Sequence, residues 1–352
     1  MSTPAWIGGE WVLSDLPATH PLPSWAGPGV QGSLVSSGRA ALTLCSRHLG
    51  GGPVLIPAYG CPALTQAVTT AGGTAVYYPG DAQMGPLWSL LPGLARRHGA
   101  HAVLIVHPLG WLRETDAVLP LRQTHGLAVV EDASHTLGNA PNLRCLGPTV
   151  TSAVAASLRK VLPMPTGGFA TVPDGPMGAG GDAFAAARTV AFRLPPGPQR
   201  HRALSRAEGV LDAGRAGGPL PAEAARVLTQ LAATPEAAGA QWRGQCRQNW
   251  SALLEGLRGT TCRPVFAALP DGVCPAGFAV RAHSRTRLAQ FLLQRHIEAT
   301  LHWPIAPEAR QALSREEHLL AGTILTLPCD GRYGTREMDD IIAACRAFDR
   351  AG

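Results

Sequence analysis

The feature that most constrains this chain is a regular alternation of short apolar runs with helix-like stretches in its first half. Val54-Leu55-Ile56 ends at Pro57, and Ala63 to Ala71 follows as a helix stopped by Gly72-Gly73. Thr74 to Tyr78 is the next strand, Leu87 to His98 a helix interrupted near Pro92, and Ala102 to His107 a strand rich in Val and Ile. Asp116 to His125 is a helix closed by Gly126, and Leu127 to Glu131 is a strand that runs into acid. Ser152 to Ala156 and Gly168 to Val172 add two more strands. Strands that are apolar throughout are buried on both faces, as a parallel sheet covered by helices requires. The fold class is therefore α/β, and functional groups are expected just past the strand C-termini. Ala58-Tyr59-Gly60-Cys61, His107-Pro108-Leu109-Gly110 and Asp132 to His135 all fall there.

The rest of the chain divides around this unit. Residues 1–33 are irregular, rich in Pro and Gly, and carry Trp6, Trp11 and Trp25, which suits an N-terminal arm packed over the core. The large domain spans 34–222. It opens with Leu34 to Arg39 leading into a helix whose Leu42, Cys45 and Leu49 recur at helical spacing, capped by Ser36 or Ser37 and stopped by Gly50-Gly51-Gly52. Within it, 173–221 is dominated by Pro, Gly and Arg and is expected to be a loop-rich insertion. Helix formers return from Glu223 to Leu257, broken near Thr234-Pro235. A smaller α/β domain then closes the chain at 352, with strands at Gly277 to Ala282 and Ile324 to Leu327 and helices at Thr286 to His296 and Arg336 to Phe348.

Composition narrows the function classes. With 45% hydrophobic and 15% charged residues, the chain can bury a large core. Its net charge of +6 comes almost entirely from scattered Arg, with no basic run interleaved with aromatics, so no nucleic-acid partner is expected. The eight cysteines contain no CxxC pair and no zinc-ligand spacing, so no metal site is expected and the thiols read as reduced, in a cytoplasmic protein. The first 25 residues lack a basic and apolar leader, and no run of about 18 apolar residues suggests a membrane span.

The chemistry-bearing stretch is Ser157-Leu158-Arg159-Lys160, followed by Gly167-Gly168. Twenty-eight residues separate Asp132 from Lys160, room for a loop and one strand, so both can stand at strand ends on one side of the sheet. A lysine and an acid so placed suit pyridoxal phosphate. The lysine amine forms a Schiff base with the cofactor aldehyde, and the carboxylate keeps the ring nitrogen protonated. Arg159 is a cationic neighbour that favours the free amine of Lys160. Ser157 and the Ser36-Ser37-Gly38 turn at a helix N-terminus are candidates for the phosphate. Read singly, each residue has a plainer role: a solvated lysine in a turn, an Asp capping a helix, an ordinary Ser cap.

The order of these motifs resembles the DegT/StrS-type sugar aminotransferases, pyridoxal-phosphate enzymes of fold type I. The resemblance covers roughly 34–350 and rests on Ser37-Gly38-Arg39-Ala40-Ala41-Leu42, Ile56-Pro57-Ala58-Tyr59, Val106 to Gly110, Glu131-Asp132-Ala133-Ser134-His135, Ser157 to Lys160 with Gly167-Gly168, and Leu325 to Pro328. The Glu-Asp-Ala-x-His and Ser-x-x-Lys…Gly-Gly pieces are the specific ones. The resemblance implies a large, mostly parallel sheet sandwiched by helices with a smaller C-terminal domain, and a homodimer with its site at the subunit interface. It implies that Lys160 carries pyridoxal 5'-phosphate and that Asp132 pairs with the ring nitrogen. His135 would lie near the phenolic oxygen, with Gly38, Arg39 and Ser157 on the phosphate. Four departures mark a divergent branch. Arg39 replaces the usual Thr, and Cys61 stands where the family stacks an aromatic on the ring, leaving Tyr59 or another residue to substitute. Ser157 and Lys160 are closer together than is usual. No Asn for a neighbouring subunit's phosphate is evident in 198–221.

The activity so implied is transfer of an amino group from an amino acid, glutamate foremost, to a keto sugar or related carbonyl compound. Elimination, dehydration or carbon–carbon chemistry on the same scaffold, and a non-enzymatic relic, are the alternatives. His107, Arg159 and His302 are candidate substrate contacts, with Arg281 and Arg332 as candidates for a donor carboxylate. The plainer roles are a hydrogen-bonded strand-end histidine for His107, core packing for His302-Trp303, and surface or structural arginines.

Overall fold

The computed structural model describes residues 6–10, 32–139, 146, 149–173, 181–212, 217–232 and 236–351. Trp11, Trp25 and the expected break at Thr234-Pro235 lie outside the described residues.

Seven strands form the main sheet: β2 (Ser33–Val35), β3 (Gly52–Pro57), β4 (Gly73–Tyr78), β5 (Ala102–Val106), β6 (Ala128–Asp132), β7 (Ala153–Ser157) and β8 (Gly168–Ala170), in the order β2-β8-β7-β6-β5-β3-β4. From β4 to β7 every pairing is parallel. Only β8 runs against its neighbours β7 and β2. β5 and β7 are buried along almost their whole length, and Val103, Leu104, Ile105, Val154 and Ala155 are inaccessible to solvent. That is the consequence of helices on both faces, here α1 (Gly38–His48), α2 (Ala63–Thr70), α3 (Leu91–His98) and α4 (Thr115–Gln123).

The region expected to be a loop-rich insertion carries two helices instead, α5 (Gly181–Phe192) and α6 (Pro198–Asp212). Its Pro and Gly lie mostly before, between and after the helices, as at Pro195-Pro196-Gly197 and Gly217-Gly218-Pro219, and punctuate them rather than forming one long loop. Phe184, Ala207 and Leu211 pack the two helices together.

Helices α7 (Ala222–Ala232) and α8 (Glu236–Gly256) lead to the smaller unit. There β9 (Arg263–Pro264), β10 (Phe278–Arg281), β12 (Thr300–Leu301) and β13 (Ile324–Leu327) form an antiparallel sheet in the order β12-β13-β10-β9. Helices α9 (Arg285–Leu293), α10 (Arg315–Thr323) and α11 (Thr335–Ala351) accompany it. The N-terminal arm contributes β1 (Ile7–Gly8), which pairs in parallel with β11 (Ile297–Glu298). The arm is thus tied to the C-terminal unit. One apolar cluster joins Phe278, Leu325 and Trp250 of that unit to Tyr59, Leu109 and Trp111 beyond the large sheet. Among the described residues, no helix is long and apolar enough to cross a membrane.

Candidate active site

The parallel strands deliver their chemistry at one edge. Tyr59 and Cys61 follow β3, Pro108 follows β5, Asp132 ends β6, and Lys160 lies three residues beyond β7. All line one cleft with about 430 Å³ of free space, its open mouth included; His135 and, from the smaller unit, Trp303 line it as well. The C-terminal edge of a parallel sheet is the expected place for such a site, because successive strand ends converge there while the loops after them stay free to vary.

Asp132 is buried, and its Oδ1 accepts the backbone N–H of Ser134 at 2.9 Å. Its other carboxylate oxygen has no protein partner among the described residues. His135 is held from both sides. Leu109, whose backbone adopts a left-handed φ of 55°, donates its N–H to His135 Nδ1 at 3.1 Å, and His135 Nε2 lies 3.0 Å from Lys160 Nζ. Burial, with Lys160 and His302 nearby, holds the imidazole well below its ordinary titration range. A neutral ring with Nδ1 already accepting carries its hydrogen on Nε2, toward Lys160.

His302 joins the same environment. Its Nε2 is buried without a hydrogen-bond partner, and burial, then Lys160 and Arg285, lower its pKa to about 3. Arg285 braces this segment by donating Nη1 to the His302 and Ile324 carbonyls, at 2.8 and 3.0 Å. The sequence offered no signal for Arg285, which is one of many scattered arginines. Tyr59 is fixed against Trp303. Its hydroxyl accepts the Trp303 N–H at 3.1 Å, and burial pushes its pKa up to about 12.

The predicted phosphate residues gather beside this cleft rather than on its walls. Ser37 caps α1 by accepting the Ala40 N–H at 3.1 Å. A Cβ at Gly38 would lie 2.5 Å from the Ser157 Cβ, and one at Gly168 would lie 2.1 Å from the Ser37 carbonyl oxygen. Only glycine permits these approaches, which bring the α1 N-terminus against the residue three before Lys160. The loop is locked further by Ser157 N–H donating to Ser134 Oγ at 3.0 Å and by a hydrogen bond from Thr166 Oγ1 to the Ser36 carbonyl.

Three expectations need correction. Arg39 leaves the α1 N-terminus and donates Nη1 to the Leu211 carbonyl at 2.6 Å, covering the C-terminal turn of α6, where a cation is favoured by the helix dipole. Arg159 is no isolated cation beside Lys160. It pairs with Glu10 (3.1 Å) and Glu208 (2.9 Å), and the same two carboxylates hold the fully buried Arg188. This four-charge cluster, with Phe184 against both guanidinium groups, joins the arm, the Lys160 loop, α5 and α6. His107 does not line the cleft. It is fully buried, Nε2 lies 3.0 Å from Glu131, and Nδ1 accepts the Arg113 N–H at 3.0 Å. Glu131 also accepts from Leu146 and Thr151, so the pair secures the turns after β5 and β6. Of the arginines suggested for a donor carboxylate, Arg332 is paired with Asp330 at 2.8 Å, and Arg281 is exposed at the end of β10.

The donor set suits pyridoxal phosphate. An amine, a carboxylate with one unpartnered oxygen and a neutral imidazole share one cleft, and a glycine-lined helix N-terminus adjoins it. Residues 31–176 match the DegT/DnrJ/EryC1/StrS aminotransferase family. The chain is 30% identical over 291 residues to the dTDP-3-amino-3,4,6-trideoxy-alpha-D-glucose transaminase of Streptomyces venezuelae, an alignment covering 80% of this chain and 71% of that protein. Its fold is similar to crystal structures of DesV from S. venezuelae in complex with a ketimine intermediate (TM-score 0.67, 21% identity, 97% of this chain and 91% of that one). It is similar also to PseC from Helicobacter pylori, an aminotransferase involved in the biosynthesis of pseudoaminic acid (TM-score 0.69, 14% identity, 99% and 94%). The chain belongs to the DegT/DnrJ/EryC1/StrS aminotransferase family, the pyridoxal-phosphate-dependent transferases of fold type I.

Proposed function

We propose that this protein binds pyridoxal phosphate through Lys160 and transfers an amino group from an amino acid, glutamate foremost, to a keto sugar or a related carbonyl compound. The observation that carries this reading is the shared cleft of Lys160, Asp132 and His135. Pyridoxal phosphate supplies the carbonyl that accepts the amino group and the ring that draws electrons from the substrate. Asp132 offers its unpartnered oxygen to the ring nitrogen and keeps it protonated. With the cofactor bound, Lys160 Nζ would be the base that takes the proton from the substrate α-carbon and the acid that gives it back. His135 Nε2–H, oriented by the Leu109 N–H, donates on the side of the Lys160 amine. The helix N-terminus at Ser37 and Gly38, with Ser157, holds the phosphate. His302 Nε2 is a neutral, unpartnered group available to a substrate hydroxyl or carbonyl.

The nature of the acceptor draws support from the sugar transaminase of S. venezuelae. A homodimer accords with Lys160, which is exposed in the single chain and needs cover for proton transfer to be shielded from water. The test is a half-reaction screen. The purified protein loaded with cofactor is mixed with single amino acids, and conversion to the pyridoxamine form is followed by absorbance. Conversion by glutamate is expected. Failure with every common amino acid would overturn transamination.

A further inference from the structure

Cys61 leaves the cofactor ring without an aromatic cover from the β3 side, and only a few side chains lining the cleft have a π face to replace it. Tyr78 is 2% exposed and spends its hydroxyl on the Leu104 carbonyl at 2.9 Å. Tyr59 is 3% exposed, and its ring meets Trp303 edge-on at 62°. Neither can present a face to a ligand. Trp303 can, because it is half-buried, lines the cleft, and belongs to the smaller unit across from Lys160. Its placement is fixed at three points. Its backbone N–H donates to the Tyr59 hydroxyl, its ring lies against His302 with centroids 4.6 Å apart, and its plane is within 8° of the His135 ring at a centroid distance of 6.3 Å.

We infer that Trp303 is the residue that packs against the cofactor ring in this chain, taking over from the small-domain side the role that residue 61 cannot fill. The inference rests on the proposed binding of pyridoxal phosphate at Lys160. The physical case is twofold. A pyridinium kept cationic by Asp132 is attracted to an aromatic face, and indole is the strongest of the protein side chains for this contact. Ring stacking also adds to the burial of apolar area on both partners. Because the indole comes from a different unit than Lys160 and Asp132, the bound cofactor bridges the two and holds the cleft together. Tyr59 is then a positioning residue that acts through the Trp303 backbone N–H.

The test is cofactor affinity in the full chain, read by the absorbance band on titration with pyridoxal phosphate and by quenching of tryptophan emission. Trp303→Leu keeps an apolar side chain and removes the π face. It is expected to weaken binding about tenfold and to lose part of the quenching. Trp303→Phe should stay within about threefold of the parent. Cys61→Phe placed in the Trp303→Leu protein should restore affinity, a rescue that a merely structural role for Trp303 does not predict. Circular dichroism confirms that each variant is folded, and where Trp303→Leu does not fold, Trp303→Met, alone and combined with Cys61→Phe, takes its place with the same expected loss and rescue. Unchanged affinity and quenching in a folded Trp303→Leu overturns the inference alone. Absence of any cofactor band in the parent protein overturns both the inference and the reading beneath it.

Discussion

His135 and Lys160 face each other at 3.0 Å, and the Leu109 N–H on the far side of the imidazole decides the direction of that contact. With Nδ1 occupied as an acceptor, the neutral ring presents Nε2–H toward the amine that is to condense with a carbonyl. The unusual backbone of Leu109, at φ 55°, is what brings its N–H to the ring.

Lys160→Ala should abolish transamination and covalent capture of the cofactor. Mass spectrometry after borohydride treatment checks the second point. The parent should gain one reduced cofactor on the peptide containing Lys160, and the variant none. Lys160 is the only lysine in the sequence, so an unmodified Lys160 peptide in the parent would remove the aldimine reading itself.

His107→Ala should be a stability defect rather than a chemical one. His107 and Glu131 are both fully buried, and removing the imidazole leaves the carboxylate and the Arg113 N–H each short of a partner. The expected loss is about 2–4 kcal/mol in chemical denaturation. Cofactor affinity in the folded fraction should change little, since His107 does not line the cleft.

The Glu10 cluster makes stability sensitive to acid. Burial works to raise the Glu10 pKa, but Arg188 and then Arg159 outweigh it and bring it down to about 2. A carboxylate depressed on folding contributes stability that is complete above its unfolded value and is lost as pH falls from there toward about 2. The Glu10 side chain keeps 35% exposure, so solvent screening reduces the effect. Thermal midpoints of the parent should drop below about pH 4. Those of Glu10→Gln should start lower at neutral pH and drop less.

His302 acts in a different acid window. Burial, with Lys160 and Arg285 nearby, lowers its pKa to about 3, so the folded state holds it neutral while the unfolded state binds a proton near the ordinary histidine value of 6.5. Stability therefore falls as pH drops from about 6.5 toward 3. His302→Asn should reduce the slope of that part of the thermal-midpoint profile, leaving the share that His135 contributes there and the lower, Glu10-dependent part in place. Equal slopes for parent and variant between those limits would show that His302 carries no such penalty.

The parallel sheet and the strand-end placement of Asp132 and Lys160 were legible in the chain because they depend on local regularities. A run of apolar residues bounded by glycine or proline specifies a buried strand wherever it lies, and an acid or lysine just after it is carried to the same edge. The capping of α1 by Ser37 follows from an equally local rule. Side-chain direction does not. Arg39, Arg159 and His107 were each read as facing the site because of their neighbours in sequence. Each was claimed instead by a partner that folding alone brings near: the Leu211 carbonyl, Glu10 with Glu208, and Glu131. Likewise α5 and α6 were obscured by prolines and glycines that lie mostly before, between and after them. Sequence alone thus determined which residue types stand at the sheet edge. Tertiary structure decided which of them turn into the cleft and that Trp303, 244 residues beyond the Tyr59 that holds it, forms a wall there. The reason is that a buried charge or ring takes its orientation from the strongest partner in space, and that partner's distance along the chain leaves no periodic trace.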